Sequence, residues 1–404
     1  MILSETAFQG ILKVLQSHQM GEQHNHFWNE ILEGIRKISN EESSKDGENE
    51  FLIRRQKFLE SCLRTATIRK LLSIVKKLIE EENVDPDAKD SDGTSPIMIA
   101  ATQGDVETLE FFLSLSDKIN VNAQRKSDMT ALHYACYCGF EEVVRILLGH
   151  PQIRVNVTNK DGRTPLHSVC FNGSETIVSL LLDREDIQVN KSSNNMDTAL
   201  MIACTESHAE VVKLLLRRDE INVNAQNVSR YTALMCACVQ GNTEIVKSLL
   251  DHKDIDVNLE DSNDETALVW ACDNDQIDVI SLLLQREDLQ RTVRNIQTIV
   301  SFVMDEMDMD KCKYKVITKA VIEKAVSKNL PDIARWLLKI EGYLASACIG
   351  SAALTGYTAA RRGCRPVMKR KRQSQPGSPA RKTQTVSEND GDVEVHGTTE
   401  GRIH

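Results

Sequence analysis

Thr164-Pro165-Leu166-His167-Ser168-Val169-Cys170 decides the architecture, because the chain returns to this run at a fixed interval. One period earlier it reads Thr130-Ala131-Leu132-His133-Tyr134-Ala135-Cys136, and it begins again at Thr198, Thr232 and Thr266, each 34 residues after the last. Ser95-Pro96-Ile97-Met98-Ile99-Ala100 is an earlier copy offset by 35, and a worn copy starts at Ser61-Cys62-Leu63 with Ala66 in the alanine column. A period of this length means one small structural unit per repeat. Such a unit buries its apolar faces only against its neighbours.

The columns assign each unit its parts. The Thr hydroxyl suits a helix N-cap, and Pro165 or Pro96 suits the first helical position. Gly104, Gly139, Gly173 and Gly241 share a column nine residues on, where a positive φ lets the chain reverse between two helices. A second helix follows with an apolar stripe such as Val143-Val144-Ile146-Leu147-Leu148. Ile187-Gln188-Val189-Asn190 and its equivalents then lead through a polar turn, such as Asn159-Lys160-Asp161-Gly162, to the next Thr.

These residues resemble the ankyrin repeat, with the Thr-Pro-Leu-His-x-Ala signature near-complete in the copy at 164. The resemblance spans roughly 61–290 and implies an all-α solenoid of stacked helix-turn-helix units with hairpin-like turns and helical caps. His occupies the fourth signature position only at His133 and His167; Met98, Met201, Met235 and Val269 stand there otherwise. Six segments are expected: an N-terminal helical segment at 1–40 with a helix at Phe27–Ile38, an acidic linker at 41–50 and the array at 51–290, its first copy degenerate. A helical insertion at 291–316, a divergent capping repeat with a docked helix at 317–360 and a disordered basic tail at 361–404 complete the chain.

Composition narrows the function. The chain holds 49 Lys and Arg against 59 Asp and Glu, a net charge of −10, and only 4% aromatic residues. Residues 361–404 carry +5, which leaves −15 on 1–360 and argues against direct nucleic-acid binding by the body. The start, Met1-Ile2-Leu3-Ser4-Glu5, lacks a basic signal region, and 11 cysteines in a long chain read as reduced thiols. Gly342–Ala360 is uncharged but rich in small residues, so a docked helix is expected rather than a membrane span.

Chemistry-bearing columns have structural readings. Cys136, Cys170, Cys204, Cys238 and Cys272 stand where a small buried residue is needed. Cys136-x-Cys138 and Cys236-x-Cys238 have the wrong spacing for a zinc finger, and His18, His24 and His26 lack a fourth ligand. No phosphate loop, zinc-protease or nucleophile-elbow motif occurs, so no catalytic residue, metal, cofactor or small-molecule substrate is expected. Asn156, Asn190, Asn224 and Asn258, each preceded by Val, are expected to close their turn by bonding nearby backbone. They also resemble the targets of an asparaginyl hydroxylase in ankyrin proteins.

The resemblance implies that a protein partner docks on the concave face. It maps that face to Met129, Arg163, Asp197, Tyr231 and Glu265 before each Thr, and to Tyr137, Phe171, Asn172, Glu206, Val239, Gln240 and Asp273 before the chain reversals. Tyr137, Phe171, Met129 and Tyr231 are expected to be exposed anchors. In the tail, Lys369-Arg370-Lys371-Arg372 is a candidate nuclear-import signal for an import receptor, and Ser378 before Pro379 resembles a proline-directed kinase site. The expected function is a non-enzymatic scaffold regulating nuclear or transcription-related partners, in nucleus or cytoplasm. The alternative is a cytoplasmic adaptor presenting a substrate to a ubiquitin ligase or signalling complex.

Overall fold

The computed structural model describes residues 48–290, single residues between 295 and 325, and residues 331–339. Helices come in pairs. α1 (Glu48–Ile68) and α2 (Leu72–Glu80) open the array, followed by α3 (Pro96–Gln103) with α4 (Val106–Ser114) and α5 (Ala131–Cys138) with α6 (Glu141–Gly149). Next come α7 (Pro165–Asn172) with α8 (Glu175–Leu182) and α9 (Ala199–Thr205) with α10 (Ala209–Leu216). α11 (Ala233–Gln240) with α12 (Thr243–Leu250) and α13 (Ala267–Asp273) with α14 (Ile277–Leu284) complete the regular pairs. α15 (Pro331–Lys339) packs on α14. First helices pack on first helices and second on second, so an inner and an outer row share one continuous core from Phe58 to Trp336. Among the described residues there is no strand, only isolated bridges joining Ser192 to Thr198 and Glu260 to Thr266.

Local chemistry sets the ends of the inner helices. The hydroxyls of Thr130, Thr198 and Thr232 accept from the backbone N–H groups of His133, Met201 and Met235, satisfying donors that a helix start leaves free. Gly173 ends α7 at φ 89°, and a Cβ there would clash with the His208 ring. Three units lack the glycine, and Lys70, Ser207 and Asp275 hold the same left-handed conformation at φ 56°, 63° and 57°. Outer helices are amphipathic: α6 buries Val143, Val144 and Leu147 while Glu141, Glu142 and Arg145 face solvent.

Between the pairs the chain makes a projecting turn. Asn159 and Asn227 each accept two backbone N–H bonds within their turn, and Asp261 does the same. Adjacent tips bond each other through backbone, Asn194 N to Asp161 O at 2.8 Å and Val228 N to Asn195 O at 3.0 Å.

The N-terminal end differs from the sequence expectation. α1 begins at Glu48, inside the expected linker, and runs through Ser61 where the worn copy was expected to start a helix. Residues 48–60 contain neither Pro nor Gly, so nothing in their order breaks the helix. The Phe27–Ile38 helix, the 291–316 insertion apart from single residues, Gly342–Ala360 and the basic tail lie outside the described residues. No described helix is long and apolar enough to cross a membrane.

Candidate protein-binding face

The inner row leaves one side open. In α9 the half-buried residues are Ile202 and Thr205, with half-buried Glu206 just past its end, and in α11 Cys236 and Val239 are half-buried with Gln240 exposed. That i, i+3, i+4 spacing is a single helix face. The corresponding open positions are Tyr137 and Cys138 in α5, and Phe171 and Asn172 in α7. α13 opens at Asp273 and, just past its end, at Asn274. Because inner helices pack in chain order, these faces join into one surface. Tyr137 stacks on Phe171 with ring centroids 5.7 Å apart and planes 10° from parallel. The helix ends beneath them are fastened to the next unit: Asn172 Nδ2 donates to Tyr137 O at 3.1 Å, and His208 Nε2 lies 3.2 Å from Phe171 O.

The residues preceding each Thr behave differently from one another. Arg163 is exposed, Asp197 and Glu265 are half-buried, and Met129 lies partly against the core. Asp197 accepts a 2.8 Å bond from Asn227 Nδ2 on the next turn. Burial pushes the Glu206 carboxyl up, opposed by nearby His208 and Arg163. Tyr231 is a correction to the sequence expectation of an exposed anchor, because only 6% of it is accessible. Trp270 in the next unit covers it edge-on at 5.2 Å and donates its own N–H to Asp261 Oδ2 at 3.1 Å. Burial, then the charge of Asp261, lifts the Tyr231 phenol well above its ordinary range.

The asparagine column corrects a second expectation. Its side chains reach the following unit rather than nearby backbone. Asn156 Nδ2 donates to Asp186 O at 2.6 Å while its Oδ1 accepts from Gln188 N at 2.9 Å. Asn122, Asn190, Asn224 and Asn258 repeat both bonds, at offsets of 30 and 32 residues. Arginines add to this fastening: Arg218 and Arg286 each pair with a carboxylate two residues on and donate to Leu182 O and Leu250 O of the preceding unit.

Buried polar columns are structural too. His133 Nε2 lies 3.1 Å from Arg163 O, and His167 Nε2 lies 3.1 Å from Asp197 O. A carbonyl only accepts, so Nε2 carries the proton and Nδ1 accepts from the Thr130 or Thr164 N–H. Burial lowers both imidazoles to about 4. The five cysteines of the column are buried, and burial pushes the thiols of Cys136, Cys170, Cys204 and Cys238 far up, disfavouring the thiolate needed for redox or metal chemistry. Among the described residues no group of three His, Cys, Asp or Glu is placed to hold a metal.

A family model described as ankyrin repeats matches in three copies, at residues 63–159, 150–227 and 221–293, together more than half of the chain. The chain belongs to the ankyrin repeat family. Among solved structures, the human ASB11 ankyrin repeat domain is similar at 24% identity and TM-score 0.45, covering 52% of this chain and 90% of that one. Ankyrin repeats are protein-interaction modules, and this array presents an open inner-helix face suited to that work.

Sequence reasoning missed several surface groups of this ankyrin array. Ile202 and Cys236 belong to the open face, and their fourth position after Thr was the available signal. Met196 and Val228 stand on adjacent turn tips with 50% and 67% of their surface accessible. Their apolar character inside otherwise polar turns marked them. Met196 also holds φ 64° in a column where Gly162 stands one unit earlier.

Proposed function

We propose that this array is a non-enzymatic scaffold that binds a partner protein along its joined inner-helix face. The observation that carries the reading is the stacked Tyr137–Phe171 pair, left half-open on adjacent helices, with Arg163 exposed before the start of α7. Aromatic and arginine side chains are the usual anchors of protein interfaces, and stacking pre-orders the rings so that little entropy is lost on docking. The partners proposed are nuclear or transcription-related proteins, a reading supported by the Lys369–Arg372 cluster and its neighbouring Ser378.

Proximity labelling in cells tests the face, comparing wild type with Tyr137→Ala/Phe171→Ala while circular dichroism confirms that both fold. Loss of a discrete set of neighbours is the expected result; unchanged neighbours would move the binding surface elsewhere. Deleting 361–382, which holds nine basic and no acidic residues, tests the nuclear reading. Exclusion from the nucleus is expected, whereas an unchanged distribution favours the cytoplasmic adaptor.

A further inference from the structure

The open face has a sign as well as a shape. Its half-buried apolar groups Tyr137, Phe171, Ile202 and Val239 lie on four successive inner helices. Around them the charges are sorted. Over 197–206, 231–240 and 265–274, covering the last three inner helices and the residue before each Thr, the charged residues are Asp197, Glu206, Glu265 and Asp273, with no Lys or Arg. Arg230, in the turn that leads to α11, lies just outside and donates to Asp261 O. The two preceding stretches, 129–138 and 163–172, carry Arg163 alone. The outer row mixes signs instead, as where Lys213 bridges Glu210 and Glu244. The sorting therefore belongs to the inner face and does not simply follow the net charge of the chain.

Spacing adds a constraint on what fits. Packed helices lie about 8–10 Å apart, and an extended chain in the polyproline-II conformation advances about 3.1 Å per residue with about three residues per turn. One repeat thus matches about three residues of such a ligand, and every third side chain falls on the same face. We propose that the occupant of this face is an extended segment of a partner protein with an apolar side chain at every third position and Lys or Arg between them. This rests on the reading of the inner face as the binding surface and names the class of partner. Apolar side chains sit over the strip from Tyr137 to Val239, and the basic groups meet the carboxylates from Asp197 to Asp273.

The test uses the full-length protein and fluorescein-labelled peptides followed by fluorescence anisotropy. The probe is Leu-Lys-Ser repeated four times; the controls are Leu-Glu-Ser repeated four times and a peptide of the probe's composition with its leucines gathered at one end. The probe is expected to bind, more weakly as salt rises, and at least tenfold more tightly than either control. Phe171→Ala and Glu206→Lys/Asp273→Lys are each expected to weaken it at least tenfold. Glu185→Lys/Glu287→Lys, which removes the same charge from exposed loops off this face, is expected to leave it unchanged. No binding of the probe, equal binding of either control peptide, or equal weakening by the loop pair overturns the proposal. Proximity labelling separates the two levels of failure. If Tyr137→Ala/Phe171→Ala loses its neighbours but Glu206→Lys/Asp273→Lys keeps them, the face stands and the basic partner falls; if both variants keep them, both readings fall.

Discussion

The units beginning at Thr130 and Thr164 are fastened differently from those at Thr198 and Thr232. In the first pair a buried imidazole joins its own helix cap to the carbonyl that opens the next unit. In the second pair Met201 and Met235 fill the same position with apolar bulk. On the opposite edge nothing changes: the asparagine rungs run unbroken from Asn122 to Asn258. The signature side of the array is thus replaceable, because a helix start can be held by a Thr hydroxyl and packing alone. The asparagine edge is not replaced, since packing offers no substitute for pairing the two backbone groups that each rung satisfies.

The sharpest way to break this comparison is to exchange the two solutions. His167→Met is expected to cost about 2–3 kcal/mol, because the buried Thr164 N and the part-buried Asp197 O lose their partner. Urea unfolding measures it, and an unchanged midpoint would mean that the imidazole adds nothing over methionine. The asparagine edge should respond evenly: Asn156→Ala and Asn224→Ala are each expected to cost about 1–2 kcal/mol, since their partners are solvent-accessible and water replaces part of each bond. A much larger loss at one of the two would show that the rungs are not equivalent.

The histidines also predict a pH dependence confined to one half of the array. Both folded pKa values, about 4, lie below the ordinary value of 6.5. The unfolded chain therefore takes up these protons first, and the stability they confer is complete above pH 6.5 and lost as pH falls towards 4. Thermal melts between pH 7 and 4 should show this loss in wild type, and His133→Met/His167→Met should flatten that part of the profile. Last and smallest, Met196→Gly relieves a left-handed backbone at an exposed tip and is expected to stabilise by less than about 1 kcal/mol. Calorimetry checks the sign.

Much of this was legible in the amino-acid order. A 34-residue period, Thr at each helix start and Gly at each reversal are local requirements of backbone geometry, so they leave a mark on single columns. The open face was legible for the same reason, since Tyr137, Phe171 and Val239 recur at fixed distances from the Thr. The long α1 was harder to see, because residues 48–60 follow the local rule of helix propensity where the repeat pattern gave no instruction. Tyr231 could not be read at all from its column, where Met129, Arg163, Asp197 and Glu265 stand at least partly open.

The sequence by itself determined the units, their order and the side of each inner helix that stays open, because caps, turns and amphipathic spacing act within a few residues. Tertiary structure decided what lies between units. Whether Tyr231 is covered depends on a Trp270 39 residues later, and whether an asparagine closes its own turn or the next depends on a carbonyl 30 residues away. Such pairings are set by stacking distance between repeats, which no single column encodes.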